Sequence, residues 1–434
     1  MSGDRDPGGT PGPERPEDAG TQAPAPEAMP AVDTRLIVRE EGLRGYVGEF
    51  KRKMRSGELG SLPVVVALII IWTVFGSLDS TFLSAQNLSD LSQQIVGTGM
   101  IAVGIVFVLL LGEIDLSVGS VSGLCAAIFA VLNVNNGMNQ WLALLVAVAG
   151  GAAVGLIQGF FFAKVGVPAF VVTLAGNLAW NGLMLQVLGA TGTINIPSDT
   201  VVAEMYSTIF HSPATAYVTA AVGVGLFLLS SLLDARRRQA ARVPFRPIAE
   251  IVLRTVVIAA IAFAAAYILN QYQGLPLALL IFLILLVVLD LVLRRTRYGR
   301  QIFAVGGNIE GARRAGISVP FVRMSVFTVA GTMAAVGGLF LAGQIQSASQ
   351  TSGGGNLLMN VIAAAVIGGT SLFGGRGSVW SALLGALVIG SIQSGMNIMG
   401  VSNAVQFMIT GSVLLAAVVV DSLSRRSQKA AGRA

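Results

Sequence analysis

The sequence predicts an all-α polytopic membrane protein with about twelve transmembrane helices and both termini in the cytoplasm. Three observations carry that prediction. Of 434 residues, 54% are hydrophobic and 12% charged, against roughly 25% charged residues in ordinary soluble domains. The apolar residues come in continuous runs near the ~20 residues that a helix needs to cross a bilayer, rather than in the alternation of barrel strands. Lys and Arg gather between alternate runs, as they do in cytoplasmic loops.

Residues 1–33 are rich in Pro, Gly, Glu and Asp and nearly lack large apolar side chains, so they are expected to form a disordered cytoplasmic tail. They show none of the pattern of a cleaved secretory signal. Residues 34–60 make a basic cytoplasmic lead-in, with Lys51, Arg52, Lys53 and Arg55 placed just before the first apolar run. The transmembrane domain covers 61–421, with spans at roughly 61–78, 94–112, 116–134, 141–163, 167–188, 214–233, 251–269, 275–293, 319–343, 356–373, 378–396 and 403–421. A second cytoplasmic tail follows at 422–434.

Counting from an inside start, the inside segments hold Lys164, Arg236 to Arg238, Arg294, Arg295, Arg297, Arg300, Arg313, Arg314, Arg376, Arg425, Arg426 and Lys429. The outside segments, around 79–93, 135–140, 189–213, 270–274, 344–355 and 397–402, contain no Lys or Arg. One missed or invented span would reverse this pattern downstream, and it never reverses. The least regular places are the break at 112–116 and the Gly-rich pair at 356–396, either of which suits an interrupted or re-entrant helix.

The net charge of +6 does not indicate nucleic-acid binding, because no soluble domain clusters these cations with aromatics. The single Cys125 lies inside an apolar run and cannot make an intramolecular disulfide. His211 falls in a predicted outer loop without ligand-type neighbours, so no metal site is expected. Gly151, Gly155 and Gly159 recur at four-residue spacing, which lets a neighbouring helix approach closely; packing within the chain is preferred over a dedicated dimer contact. Asn87-Leu88-Ser89 matches a glycosylation acceptor, a motif short enough to arise by chance.

Three loops could carry chemistry. Gly112-Glu113-Ile114-Asp115-Leu116-Ser117-Val118-Gly119-Ser120 sets two carboxylates between apolar runs with no Lys or Arg beside them. An intramembrane charge costs at least ~2.5–3.5 kcal/mol, so such residues line a polar cavity or serve a function. Asp115 or Ser117 can instead cap the following helix, but a cap leaves Glu113 unexplained. The inside loop at 294–318 has a patterned centre, where Gly306, Gly307 and Asn308 precede a short helix from Glu310 to Ala315 that Gly316 ends. Small residues such as Ala312 and Ala315 let such a helix enter a groove on a partner. The third, Gly368-Gly369-Thr370-Ser371-Leu372-Phe373-Gly374-Gly375-Arg376-Gly377, lacks the Gly-Lys-Ser/Thr of a nucleotide loop and reads as a tight turn between helices.

Gln94, Asn177, Asn181, Asn360 and Gln393 are amides inside predicted spans, and Asn177 and Asn181 share a helix face near Trp180. Amides beside an aromatic suit the passage of a neutral polyhydroxylated solute. Each amide can equally well bond across helices as structural glue.

In their order and wording the three loops resemble those of the sugar-importer permeases that serve ribose, galactose and xylose ABC transporters. The likeness runs from about 61 to 421. Glu113-Ile114-Asp115-Leu116-Ser117-Val118-Gly119 resembles that family's early acidic motif, Gly299 to Ile317 its coupling loop, and Ile367 to Gly377 its late glycine-rich motif. Glu113, where ribose-type members more often have Gly, and two added spans within about 234–293 look most like xylose-type permeases. Asn181-Gly182 departs from the Arg-Gly of many relatives, which weakens the transfer of substrate contacts.

The resemblance implies a bacterial inner-membrane permease that is not itself an enzyme. It carries no cofactor, ATP being bound by two partner ATPase subunits. The other implied partners are a periplasmic-type sugar-binding protein, a second permease copy and membrane lipid, with no nucleic acid. The candidate sugar pathway comprises Glu113, Asp115, Asn177, Trp180, Asn181, Asn360 and Gln393. Residues 299–317 would contact the ATPase. Composition alone also fits a proton- or sodium-coupled secondary transporter, although such carriers need ionisable groups deep in the membrane and only Glu113 and Asp115 qualify. An intramembrane enzyme would need a paired nucleophile and base, which the sequence does not offer.

Overall fold

The computed structural model describes residues 62–243 and 247–430, with side chains through Leu423, all within the compact unit Met54–Ala434. The expected tail at 1–33, the lead-in at 34–60 and the side chains of Arg425, Arg426 and Lys429 lie outside the described residues. Each predicted apolar run is a helix. In chain order these are α1 (Leu62–Leu78), α2 (Ala85–Leu110), α3 (Val118–Ala130, prolonged by a π turn to Asn135), α4 (Gln140–Phe160, prolonged likewise to Val165) and α5 (Ala169–Leu188). After strand β1 (Thr193–Asn195) come the short α6 (Val201–Ser207), β2 (Ile209–Phe210), α7 (Pro213–Ala240), α8 (Ile248–Asn270), β3 (Leu275–Pro276) and α9 (Leu277–Arg295). The loop helices α10 (Arg297–Gly307) and α11 (Ile309–Arg314) lead to α12 (Val319–Ile345), β4 (Ser347–Ser349), α13 (Leu357–Ile367), α14 (Trp380–Ile398) and α15 (Asn403–Ala430).

Ten of these helices are long and apolar enough to cross a membrane, and α1 and α13 are shorter apolar helices. The predicted span at 356–373 is thereby corrected. Its helix has 11 residues, about 16 Å at the α-helical rise, roughly half the ~30 Å apolar core of a bilayer. α2 begins at Ala85, before the predicted 94, because Ser84 accepts from the Asn87 amide at 3.2 Å and caps an extra stretch of helix. The Asn87 side chain donates to the Phe82 carbonyl and accepts from Ser394, so this amide is part of the packing. The predicted tail at 422–434 starts as a continuation of α15.

Among the described residues, Lys and Arg fall at one end of the bundle and none at the other. At the end without Lys or Arg, β1 pairs with β4 and β2 with β3, both antiparallel, and His211 Nδ1 lies 3.0 Å from the Gln273 carbonyl. The first and last of these join predicted outside segments, and the second joins one to the opening residues of the predicted span 275–293. At the basic end Arg295 donates to the Ser230 carbonyl and Arg294 to Ser378, tying one inside segment to the ends of two predicted spans.

α2 and α12 cross antiparallel at the centre. A Cβ on Gly337 would stand 2.6 Å from the Gly97 carbonyl oxygen, and one on Gly104 would stand 3.0 Å from that of Ala330. Around this crossing the chain is built twice in opposite directions. α2 packs on α13 and α14, and α12 packs on α3 and α4; α3 packs on α4 and α5, and α13 on α14 and α15. The Gly151, Gly155 and Gly159 stripe serves this frame, lying against Gly331, Phe327 and Met324 of α12. α9 sends Phe282, Leu286 and Leu293 into the same core, while α8 pairs with α7 through a separate small cluster of Ala216, Ala220, Ala266 and Leu269.

Candidate functional site

Backbone that leaves a helix at membrane depth survives only where protein or a cavity surrounds it. The chain does this twice. After α2 the helix ends in a turn at Gly112, φ +79°, and beyond Glu113 residues 114–117 make no bond back to it. This break lifts the start of α3 well above the basic end. Gly338 lies about 28 Å along α12 from Val319 at the helical rise, yet it packs on Ser122, close to the start of α3. After β4, the turn through Gly353 descends from the opposite end. A Cβ on Gly123 would fall on the Ser352 carbonyl, and one on Gly119 would stand 2.6 Å from the Gly353 carbonyl oxygen and 3.9 Å from the Leu358 Cβ. The first turns of α3 and α13 therefore meet inside the bundle.

Neither helix start has a side-chain cap bond. The capping role considered for Asp115 and Ser117 is thus not realised. Instead Asp115 accepts from the Ser117 amide at 2.8 Å and from its hydroxyl at 2.6 Å, closing a turn one step before the helix. The Ser117 hydroxyl in turn accepts from Gln158 Nε2 at 2.8 Å. All three side chains are buried, with Asp115 and Gln158 each 2% exposed and Ser117 0%. The result is a directed chain from amide to hydroxyl to carboxylate at the start of α3.

Gln158 is a candidate site residue that the sequence reading did not select. The available signal was an amide inside an apolar helix, flanked by Gly155 and Gly159. On its other side Gln158 faces α5, where only the missing Cβ of Gly176 leaves room. A Cβ there would stand 2.5 Å from Gln158 Nε2 and 2.9 Å from Trp180 Nε1. The Trp180 indole N–H is buried and has no acceptor. Trp180 thus joins the Asp115 cluster.

The other predicted pathway residues are separate from it. Asn177 is half-buried and Asn181 exposed, on an outer face of α5 that also carries Leu174, Leu178 and Leu185. Asn360, 7% exposed, keeps an unpartnered Oδ1 one turn into α13. Gln393 is half-buried on α14. Gln94 is exposed on α2.

The two carboxylates differ in placement. Asp115 points into the bundle, whereas Glu113 lies toward the basic end, 4.0 Å from Arg323. The guanidinium of Arg323 also sits 4.4 Å over the Phe162 ring. Glu113 lacks a basic neighbour in sequence but has one in space, at the start of α12.

The basic-end loop forms the expected short helix, α11, with Asn308 accepting from the Gly311 amide at 2.8 Å and Gly316 at φ +78° ending it. Two of its residues are not available to a partner. Ala312 is 4% exposed and packs into the main core, and a Cβ on Gly306 would fall on the Leu110 carbonyl. The surface that remains includes Gly307, Asn308, Glu310, Gly311, Arg313, Arg314, Ala315 and Gly316. The glycine-rich segment is a tight turn, with Gly369, Gly374 and Gly375 at φ +103°, +83° and +72°. Gly368 is closely packed by the Ser381 backbone. The Arg376 carbonyl closes the turn by accepting from the Ser371 amide, and Asp421 of α15 accepts from the Leu372 amide at 3.3 Å. Among the described residues no group of three or more His, Cys, Asp or Glu could hold a metal ion.

Residues 87–418 match the family described as the branched-chain amino acid transport system permease component. The chain is 36% identical over 395 residues to the xylose transport system permease protein of Escherichia coli K12, covering 91% of this chain and 98% of that relative. It is 33% identical over 376 residues to the xylose transport system permease protein of Haemophilus influenzae, covering 86% and 99%. It is 30% identical over 373 residues to the ribose import permease protein of Bacillus subtilis, covering 86% and 96%. No solved structure matches.

Proposed function

Since the chain belongs to the branched-chain-type ABC permease family and is most like its xylose-type sugar permeases, we propose that it is the membrane-spanning subunit of an ATP-driven monosaccharide importer whose substrate is xylose. As a transport subunit it is not itself an enzyme. The observation that carries the xylose reading is the 36% identity over 91% of the chain to a xylose permease, against 30% over 86% for a ribose permease.

On this reading twelve helices span a bacterial inner membrane, with α1 and α13 completed by neighbouring backbone and the basic end in the cytoplasm. A binding protein delivers sugar to the end without Lys or Arg. Two copies pair along the α5 face, where an exposed Asn181 amid leucines is better placed than against lipid. The sugar passes the Asp115, Ser117, Gln158 and Trp180 cluster and the joined starts of α3 and α13, where free backbone N–H groups can meet hydroxyl oxygens. ATPase subunits bind beneath the exposed side of α11.

Two measurements test the reading. Gentle-detergent purification of the tagged chain from its native membrane should bring down one nucleotide-binding subunit per permease, and deletion of the gene should abolish uptake of labelled xylose while sparing ribose. A solitary permease, or unchanged xylose uptake, would sink it. Gly307→Arg, at a position with open space around it, should leave membrane insertion intact and cut uptake at least ~10-fold through lost coupling.

A further inference from the structure

Three segments that are far apart in sequence meet backbone to backbone at the basic end. The Leu110 carbonyl, at the last residue of α2, accepts from the Gly375 amide at 2.9 Å. The same carbonyl occupies the place a Cβ on Gly306 would take. A Cβ on Gly374 would stand 2.7 Å from the Gly306 carbonyl oxygen and 2.9 Å from the Gly112 amide, and one on Gly112 would stand 3.2 Å from the Phe373 carbonyl oxygen. The end of α10, the turn between α13 and α14 and the break after α2 are thus held in one glycine joint with no side chain between them.

Behind the joint the frame is firm. Arg294 of α9 reaches Ser378 just past the turn, and Asp421 of α15 accepts from Leu372 within it. In front of it the chain is free of helical bonding. The Glu113 amide makes the last bond back to α2, to Val108 at 3.3 Å, and the Asp115 turn follows two residues later. A shift of α10 and α11 therefore has a short route to the buried polar cluster, through Gly306 to Leu110 and Gly112 and on to Asp115.

We propose that Gly306, Gly374 and Gly375 are positioning residues which carry the movement of the cytoplasmic loop into the 112–117 break, and that the joint moves as one body. The proposal rests on the importer reading above. Glycine is required because any Cβ would separate the backbones and loosen the transmission.

The test uses the permease with its ATPase subunits in proteoliposomes supplied with the sugar-binding protein, reading sugar taken up per ATP hydrolysed. Gly306→Ala is expected to lower that ratio about tenfold while ATPase activity and subunit content stay within about twofold, a loss in the usual range of coupling between sites. An unchanged ratio would overturn the proposal. A second reading leaves the joint unaltered. Hydrogen–deuterium exchange of the wild-type complex, held with and without ATP, should change together in 299–317, 110–117 and 371–377, because a joint that moves as one body responds as a whole. A nucleotide-dependent change confined to 299–317 would show that the loop moves without the joint, against the proposal. If wild-type uptake proves independent of the ATPase subunits, the importer reading is what fails.

Discussion

The two inverted halves, α2–α5 and α12–α15, share a frame and differ in what fills their breaks. In the first half the interruption carries Asp115 and Ser117, and α4 contributes Gln158 to complete a buried relay. In the second half the interruption is a turn of Gly, Ser and Thr whose carbonyls fill the spaces above Gly119 and Gly123, and the nearest buried amide, Asn360, has an idle acceptor. The first break is held by side chains and the second by backbone. An inverted duplication can therefore set two helix starts against each other while leaving the charge to one of them.

This contrast is broken most severely at Asp115. Asp115→Ala strips the acceptor from both the Ser117 amide and hydroxyl in a buried site, which costs roughly 1–3 kcal/mol per orphaned group. Uptake should fall at least ~100-fold, with a lower yield of monodisperse protein in detergent. The matched change in the second half, Asn360→Leu, replaces an unpartnered acceptor and should raise thermal stability by about 1 kcal/mol. It should nonetheless lower uptake if the amide meets sugar. Equal stability losses at both positions would mean that the two breaks are held in the same way.

Packing sharpens the comparison next. A Cβ on Gly155 would fall on the Phe327 backbone carbonyl of α12, whereas one on Gly390, on the equivalent α14, would meet only the ends of the Ile95 and Leu91 side chains. Gly155→Leu should therefore cost about 3 kcal/mol or more, and Gly390→Ala about 1 kcal/mol, because side-chain ends can give way and a main chain cannot. Thermal melts of the two variants in one detergent would read the difference. A reversed order would contradict the packing described.

Much of the frame was legible because hydropathy and loop charge report on lipid and water, which act on every residue. The twelve apolar runs and their alternation required no tertiary information. Depth was less legible. Gly368 and Gly369 mark the turn after Ile367 in the sequence, but hydropathy alone carried the predicted span on to 373, past the helix end at Ile367 and the left-handed Gly369. Pairings across the fold were not legible at all. Glu113 finds Arg323 and Ser117 finds Gln158 only after α4 and α12 pack. Ala312 looked available for a partner because small residues read alike whether they face a partner or their own core.

Two smaller effects separate the chemistry of the first half from its architecture. Trp180→Phe keeps an aromatic ring and removes the unpartnered indole N–H. Stability should hold within about 1 kcal/mol, and uptake should fall about three- to tenfold if that N–H binds a sugar hydroxyl, an interaction worth roughly 0.5–1.5 kcal/mol. Unchanged uptake would limit the role of Trp180 to packing.

Glu113→Gln should have the least effect. The Glu113 and Arg323 side chains are 26% and 22% exposed and 4.0 Å apart, so the pair contributes about 1 kcal/mol or less. Arg323 keeps its place over the Phe162 ring without the carboxylate, an attraction of about 0.5–1 kcal/mol when partly exposed. Uptake by Glu113→Gln should stay within about threefold of the wild type, in contrast to Asp115→Ala. A loss as large as that at Asp115 would mean that both carboxylates serve the pathway, and that the first half places two charges along it where the inverted frame shows one.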